Sequence, residues 1–384
     1  MGIEIENSHK YNSILMQKIL IIGGGIAGLT CAHLLTRNGW EVEIWDKLSH
    51  SSPTLIINDV TRYLLQDIWQ LETDFWYDFH LLTSRRVAWG NDGGVLSMAE
   101  PNAVINGNLL SNRLWTHLLE KYHDQVQFQE LSLSIDNLGD LQHEFAWIID
   151  AGGRQSAIAQ KLGSGHRYAF GDRCILSQEV QLTNFAQEDI YWIETVPEGW
   201  LFLAPLGNKK AILQAMVPLI LGETSDLLAI LIKQTRYIQN YIAELSASIA
   251  IFAAFPQILR PLSGNKHLAV GDAAFSVDPI SGDGTGYAMR GAILATSVID
   301  AIASGLTSSD CLQHYTLRLE KAFDAHLQQC LEYYLKGFTS SLWQREIERM
   351  QKARKLWNPT KNENFTHTLK DFQLVKLEKS GKIA

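Results

Sequence analysis

Two glycine-rich segments carry the chemistry that can be read from this chain. The first is Gly23-Gly-Gly25-Ile-Ala-Gly28, entered from the apolar run Lys18-Ile-Leu-Ile-Ile22 and followed by a helix expected over Leu29–Asn38. Gly23 lets the chain turn sharply out of a strand, Gly25 lets backbone approach a diphosphate, and Gly28 lets the helix pack close on the sheet. The helix start offers N–H groups, including those of Ile26 and Ala27, and the positive end of a dipole, which suits a dinucleotide's phosphates. Gly39 ends that helix. The next strand, Glu41–Trp45, delivers Asp46 about 20 residues beyond the loop, where a carboxylate can bind a ribose hydroxyl pair. A glycine-rich turn that binds nothing is the alternative, and the strand, helix and acid around the loop argue against it.

The second segment is Gly271-Asp272-Ala-Ala-Phe-Ser-Val-Asp-Pro279-Ile-Ser-Gly282-Asp-Gly284. Lys266–Val270 reads as a short strand that Gly271-Asp272 closes. Pro279–Gly286 opens a long helix, Tyr287–Ser304, ended by Gly305. Glycines at 282, 284 and 286 allow close backbone approach, so N–H groups and the helix dipole can face a ligand. Between the two segments, the apolar strand Phe145–Ile149 ends in Asp150-Ala-Gly-Gly153-Arg154 and a helix over Ser156–Leu162. The bland alternatives are an ordinary capped loop and a common strand–Asp–Gly turn.

In this order, and framing residues 18 to 305, the three signatures resemble those of the PHBH-type flavin monooxygenases. That superfamily also holds tryptophan halogenases and geranylgeranyl reductases. The resemblance implies an α/β fold: a Rossmann-type FAD-binding domain with an inserted antiparallel β-sheet substrate domain and C-terminal helices. It implies non-covalent FAD, with Asp272 bonding the ribityl chain and Gly282 and Gly284 presenting N–H groups to the isoalloxazine N1–C2=O edge. Arg113, in Ser111-Asn-Arg-Leu-Trp, stands where the family has a helix arginine that reaches FAD; a solvated arginine is the alternative. NAD(P)H or reduced flavin from a separate flavin reductase would supply electrons, and O2 would be the co-substrate. The implied reaction is hydroxylation of an electron-rich aromatic ring.

Within the superfamily the fit is uneven. Phe275 stands where aromatic hydroxylases usually carry His. The block Gly199-Trp-Leu-Phe-Leu-Ala-Pro205 lacks the second Trp and the Ile of the halogenase W-x-W-x-I-P pattern, and no lysine lies in a halogenase-like context. The nearest likeness is to flavoprotein maturases that act on tryptophan in cysteine tryptophylquinone oxidases. It rests on Pro53–Asn58 leading to Leu64 and Trp69, Arg86–Gly90, the Gly199–Pro205 block, Tyr333-Tyr and Leu342–Arg345. It implies a precursor protein bearing the target Trp as partner. Two alternatives stay open: a small-molecule aromatic hydroxylase or halogenase, and a flavoprotein reductase or precursor-binding chaperone.

Bulk properties bound the rest. The 384 residues, 46% hydrophobic and 19% charged, suit a well-cored enzyme of two or three packed units. A net charge of −8 and no basic stripe argue against nucleic acid. Cys31, Cys174, Cys311 and Cys330 show no C-x-x-C or metal-ligand spacing, so no metal and a cytoplasmic setting are expected. No run approaches the ~18 apolar residues of a membrane helix. The leader Met1–Gln17 is polar, without a secretory pattern.

The FAD domain is expected as 16–50, 104–165 and 262–305, with 51–103 and 166–261 as the substrate layer and 306–384 as a C-terminal helical region. Within the layer, a helix around Val60–Gln70, a strand at Arg85–Trp89 with its turn at Gly90–Gly94, and a meander of Tyr191–Val196, Trp200–Ala204 and Ala211–Val217 are read. Alternation puts Trp200, Phe202 and Ala204 on one face, a candidate apolar wall for an aromatic substrate. The tail Asn362–Ala384 reads as polar and partly mobile. No acid–base pair stands out, so the catalytic residues stay unassigned; Asp278, Asp283 and Glu194 are the candidates.

Overall fold

A computed structural model describes residues 18–47, 53–90, 94–131, 138–219, 226–246, 248–359 and 364–377. The chain runs β1 (Lys18–Ile22), α1 (Ile26–Arg37), β2 (Glu41–Asp46), β3 (Thr54–Asn58), α2 (Asp59–Trp69), β4 (His80–Ala88), β5 (Leu96–Asn106), α3 (Gly107–Tyr122) and β6 (Val126–Glu130). It continues with α4 (Leu138–Glu144), β7 (Trp147–Asp150), α5 (Ile158–Leu162), β8 (His166–Ala169), β9 (Arg173–Leu182), β10 (Ile190–Val196), β11 (Gly199–Gly207), β12 (Lys210–Pro218) and α6 (Leu227–Gln234). Then come β13 (Ile242–Leu245), β14 (Ala250–Ala253), β15 (Gln257–Arg260), β16 (Ser263–Gly264), β17 (His267–Ala269) and β18 (Phe275–Ser276). Three helices follow, α7 (Gly284–Ala303), α8 (Ser308–Gly337) and α9 (Ser341–Trp357), before the hairpin β19 (His367–Lys370) and β20 (Gln373–Lys376).

Two sheets organise the molecule. The first has the order β16-β17-β7-β1-β2-β6, and β1 runs parallel to both β2 and β7. Ile19, Leu20 and Ile21 are fully buried, as expected of a continuous apolar strand covered on both faces. The helix α1 is buried nearly all round because it lies among the sheet, α3 and α7.

The second sheet has the order β13-β9-β12-β11-β10-β4-β5-β3. Its centre is the expected antiparallel meander, β10–β11–β12. Period-two alternation splits it into two faces. Trp200, Met216 and Ile175 join the main core, whereas Leu201, Leu203, Leu213 and Ala215 pack with α6 on the back.

Several expectations are corrected. The first helix starts at Ile26 rather than Leu29, and α7 at Gly284 rather than Tyr287, so Gly284 and Gly286 lie in its first turn. The strand read at Arg85–Trp89 begins at His80. The tail is not loose over residues 365–377. Its hairpin docks on α7, where Ser297 Oγ donates to the Phe372 carbonyl at 2.6 Å, and Leu374 is buried. The cause is tertiary, since too few apolar residues occur there to show a period. Residues 1–17, 91–93 and 378–384, which hold the leader, part of the Gly90–Gly94 turn and the end of the tail, lie outside the described residues.

Candidate functional site

The first loop has the geometry of a phosphate cradle. Gly25 begins α1 with no side-chain cap, so the helix's first N–H groups meet no capping side chain. A side chain at Gly25 would meet no atom within 4 Å, so the loop is open there. Gly23 and Gly28 serve packing instead. Gly23 has φ +111°, and a Cβ there would collide with the Ala151 carbonyl; one at Gly28 would collide with the Gly23 carbonyl. Asp46 ends β2 beside this loop, close enough that a Cβ on Gly24 would lie 2.6 Å from its Oδ2. The Lys47 N–H donates to its Oδ1 at 2.9 Å.

The second segment lies against the first. A Cβ at Gly271 would come within 2.7 Å of the Ala27 Cβ in the first turn of α1. Gly282, with φ +60°, and Gly284 both face open space. Asp272 is hemmed in by protein although its side chain still reaches solvent, and that desolvation raises its carboxyl pKa. The charges of Arg154 and Arg167 oppose the shift. Arg154 donates to the Phe255 carbonyl at 2.6 Å and Arg167 to the Ser156 carbonyl at 2.9 Å. Arg167 carries no motif that sequence reasoning could use. In the middle signature, Asp150 accepts from Ser156 Oγ at 2.6 Å and the Ala159 N–H at 2.9 Å, which ties β7 to α5.

The candidate acids are committed elsewhere. Glu194 accepts from the backbone N–H groups of Arg236, Tyr237 and Ile238, the last at 2.9 Å, so it fixes the turn after α6. Asp278 is fully buried in an ionic network. Asp283 accepts from Thr61 Oγ1 at 2.8 Å and Asn58 Nδ2 at 3.1 Å and pairs with Arg290, which joins the start of α2 to the start of α7. Each of the three is thus held by protein partners, with Asp278 and Glu194 buried and Asp283 partly exposed. Arg113 on α3 pairs with Asp78 and donates to the Phe75 carbonyl.

Aromatic residues form two groups. Phe75, Trp76 and Phe79 cluster with ring centroids 4.9 to 5.9 Å apart. Trp89 contacts both Trp200 at 6.4 Å and Phe338 at 5.8 Å, and Phe338 stacks on Trp343 at 4.0 Å. The front-face reading holds for Trp200, whereas Trp192 stacks on Tyr237 behind the sheet. A cavity of about 400 Å³ opens beside the second group, among Gly90, Glu194, Thr195, Arg236, Gly337 and Phe338, so the hydrogen-bonded Glu194 also forms part of its wall. Among the described residues no helix is long and apolar enough to cross a membrane, and no three His, Cys, Asp or Glu side chains are placed to hold a metal.

A family profile for NAD(P)-binding Rossmann-like domains matches residues 21–56. A flavin-dependent halogenase of Armillaria mellea is 22% identical over 351 residues, covering 73% of this chain and 64% of the relative, so the chain spans less than two thirds of that protein. The solved myxobacterial chondrochloren halogenase CndH superposes with a TM-score of 0.74 at 16% identity, covering 91% of each chain. The solved peptidyl tryptophan dihydroxylase QhpG, described as essential for tryptophylquinone cofactor biogenesis, superposes with a TM-score of 0.72 at 18% identity, covering 94% of this chain and 86% of that one. The chain therefore shares the fold of these solved flavoproteins, a Rossmann-type domain joined to a largely antiparallel sheet, in which β10 and β4 run parallel, and C-terminal helices.

Proposed function

We propose that the protein is an FAD-dependent monooxygenase that hydroxylates an aromatic ring, with the indole of a protein-borne tryptophan as substrate. The observation that carries the flavin reading is the contact of Gly271 with Ala27. It brings together two glycine-rich loops, each with open space, as one elongated ligand such as FAD would require. Ile26, Ala27 and Gly28 would meet its diphosphate, Asp46 its adenosine ribose, Asp272 its ribityl chain, and Gly282 with Gly284 its ring edge. Arg113 would serve from α3. Bound FAD supplies the redox chemistry, with electrons from NAD(P)H or a partner flavin reductase and O2 as oxidant.

The chain's part is to bind, orient and exclude water. On the front face of the second sheet the half-buried Trp89 packs against the buried Trp200 and Phe338, and Phe338 lines the neighbouring cavity, which would give an aromatic ring an apolar wall. The neighbouring cavity is walled partly by glycines, which leaves room for a polypeptide backbone. Similarity to QhpG supports a peptidyl tryptophan, and a cytoplasmic setting agrees with four buried free thiols. A halogenase is the second reading, favoured by the likeness to CndH. Absence of a lysine in a halogenase-like context weighs against it.

Denaturing the purified protein should release FAD, identified by chromatography; a colourless protein that takes up no FAD would sink the flavin reading. Mass spectrometry of a tryptophan-bearing precursor after aerobic turnover should then show one or two added oxygen atoms. Added chlorine or bromine would select the halogenase reading instead.

A further inference from the structure

We infer that Arg173 is a positioning residue for the flavin loop, holding Asp278, and through it Pro279–Gly284, against the C-terminal helices. The inference rests on the flavin reading above. Arg173 opens β9 and is 1% exposed. One arm of its guanidinium donates to Asp278 Oδ2 at 2.8 Å, and the other to Glu346 Oε1 on α9 at 2.5 Å. The other oxygen of Asp278 accepts from the Tyr334 hydroxyl on α8 at 2.7 Å and from the Ile280 N–H at 3.0 Å. The Asp278 N–H itself donates to His326 Nε2 on α8 at 2.7 Å. Asp278 thus starts the turn that leads to Gly282 and is gripped from two other elements, β9 and α8, with α9 joined through Arg173.

Such a network contributes little net stability compared with an apolar core, but it enforces one geometry, and losing a partner leaves a buried charge uncompensated. Here one guanidinium faces two carboxylates, and Glu346 also accepts from the Asp172 N–H at 2.7 Å and is approached by Arg349 at 3.9 Å. Taking away the Tyr334 hydroxyl or the guanidinium exposes the negative charge of Asp278 behind the loop and loosens the loop's N–H groups. Both effects disfavour a ring that gains negative charge on reduction. The reduction potential therefore falls, while the diphosphate and ribose contacts stay in place.

The test uses Tyr334→Phe and Arg173→Lys in the full-length protein loaded with FAD. Lysine keeps the charge but cannot bridge two carboxylates with a fork. FAD affinity by flavin fluorescence should stay within about threefold of the parent in Tyr334→Phe, a change of under about 1 kcal/mol. Its reduction equilibrium against a redox dye should shift at least about tenfold toward oxidised flavin, about 30 mV for a two-electron couple. Arg173→Lys should shift it in the same direction. A parental potential in folded Tyr334→Phe would overturn the inference and leave the network a packing device, as would equal losses of affinity and potential. If the parent itself takes up no FAD, the flavin reading fails first, and the two failures are told apart.

Discussion

Gly271 packs against Ala27: a single methyl group added to Gly271 would sit 2.7 Å from the Ala27 side chain. The two residues belong to signatures at opposite ends of the Rossmann unit, one in the first turn of α1 and one just after β17. Their contact brings two separate sequence patterns side by side, as the proposed flavin site requires. It also makes each loop testable by its own effect on the same ligand.

Replacing Asp46 with Ala should weaken FAD binding without altering the flavin's absorption. A hydrogen bond to a charged group is worth ~1.5–3 kcal/mol. The dissociation constant should therefore rise by at least ~10-fold, measured by flavin fluorescence. An unchanged constant would move the ribose contact away from the end of β2.

Asp272→Ala and Gly284→Val should each impair flavin reduction and turnover more than folding. The space beside Gly284 is open, so a valine there intrudes on the cleft and not on the core. Misplacement by ~1 Å can cost ~100-fold in rate. Thermal melts should stay near the parent's. Parental reduction rates in both variants would put the flavin ring somewhere else.

Glu194 gives the opposite expectation. Three backbone donors converge on its buried carboxylate. Glu194→Ala leaves them without an acceptor and should cost about 3 kcal/mol of stability. Turnover assayed well below the melting transition should remain parental. Loss of turnover in a fully folded sample would restore Glu194 as a reacting acid.

Acid should loosen the C-terminal hairpin through His314. That ring is buried against Phe365 and His367, and neither of its nitrogens has a hydrogen-bond partner among the described residues. Burial, reinforced by Arg318 and His367, lowers its pKa from 6.5 to about 4. The folded form therefore holds the proton less well than the unfolded chain. Stability is intact above pH 6.5 and declines as pH falls toward 4, by up to about 3 kcal/mol. Melting His314→Leu at neutral and acid pH should show a shallower loss than the parent. Equal slopes would assign the acid sensitivity to other groups.

The Rossmann half was legible because its rules are local. A strand, a glycine turn and a helix follow one another, and Gly23 and Gly28 each occupy a position that a side chain would crowd, while Gly25 faces open space. The meander was legible for the same reason, through alternation in β10, β11 and β12. The state of the carboxylates was not. Asp278 reads as a helix-start carboxylate and Glu194 as a strand-surface charge, and partners far along the chain, Arg173 and the turn after α6, show that both are buried and bound. The tail hairpin was hidden likewise, because its few apolar side chains gain burial only against α7.

The long interval between α1 and α7 has a consequence for how the protein is made. The strand β17 completes its pairing with β7, and α7 covers α1, only after the whole second sheet has been synthesised. At ~5–20 residues per second, the apolar side of α1 waits tens of seconds on the ribosome for its cover. During that wait the Rossmann half is a nascent chain with an exposed greasy face, and contacts so distant in sequence form slowly. Synonymous changes that slow translation between β9 and β17 should lower the yield of soluble protein without altering a single residue.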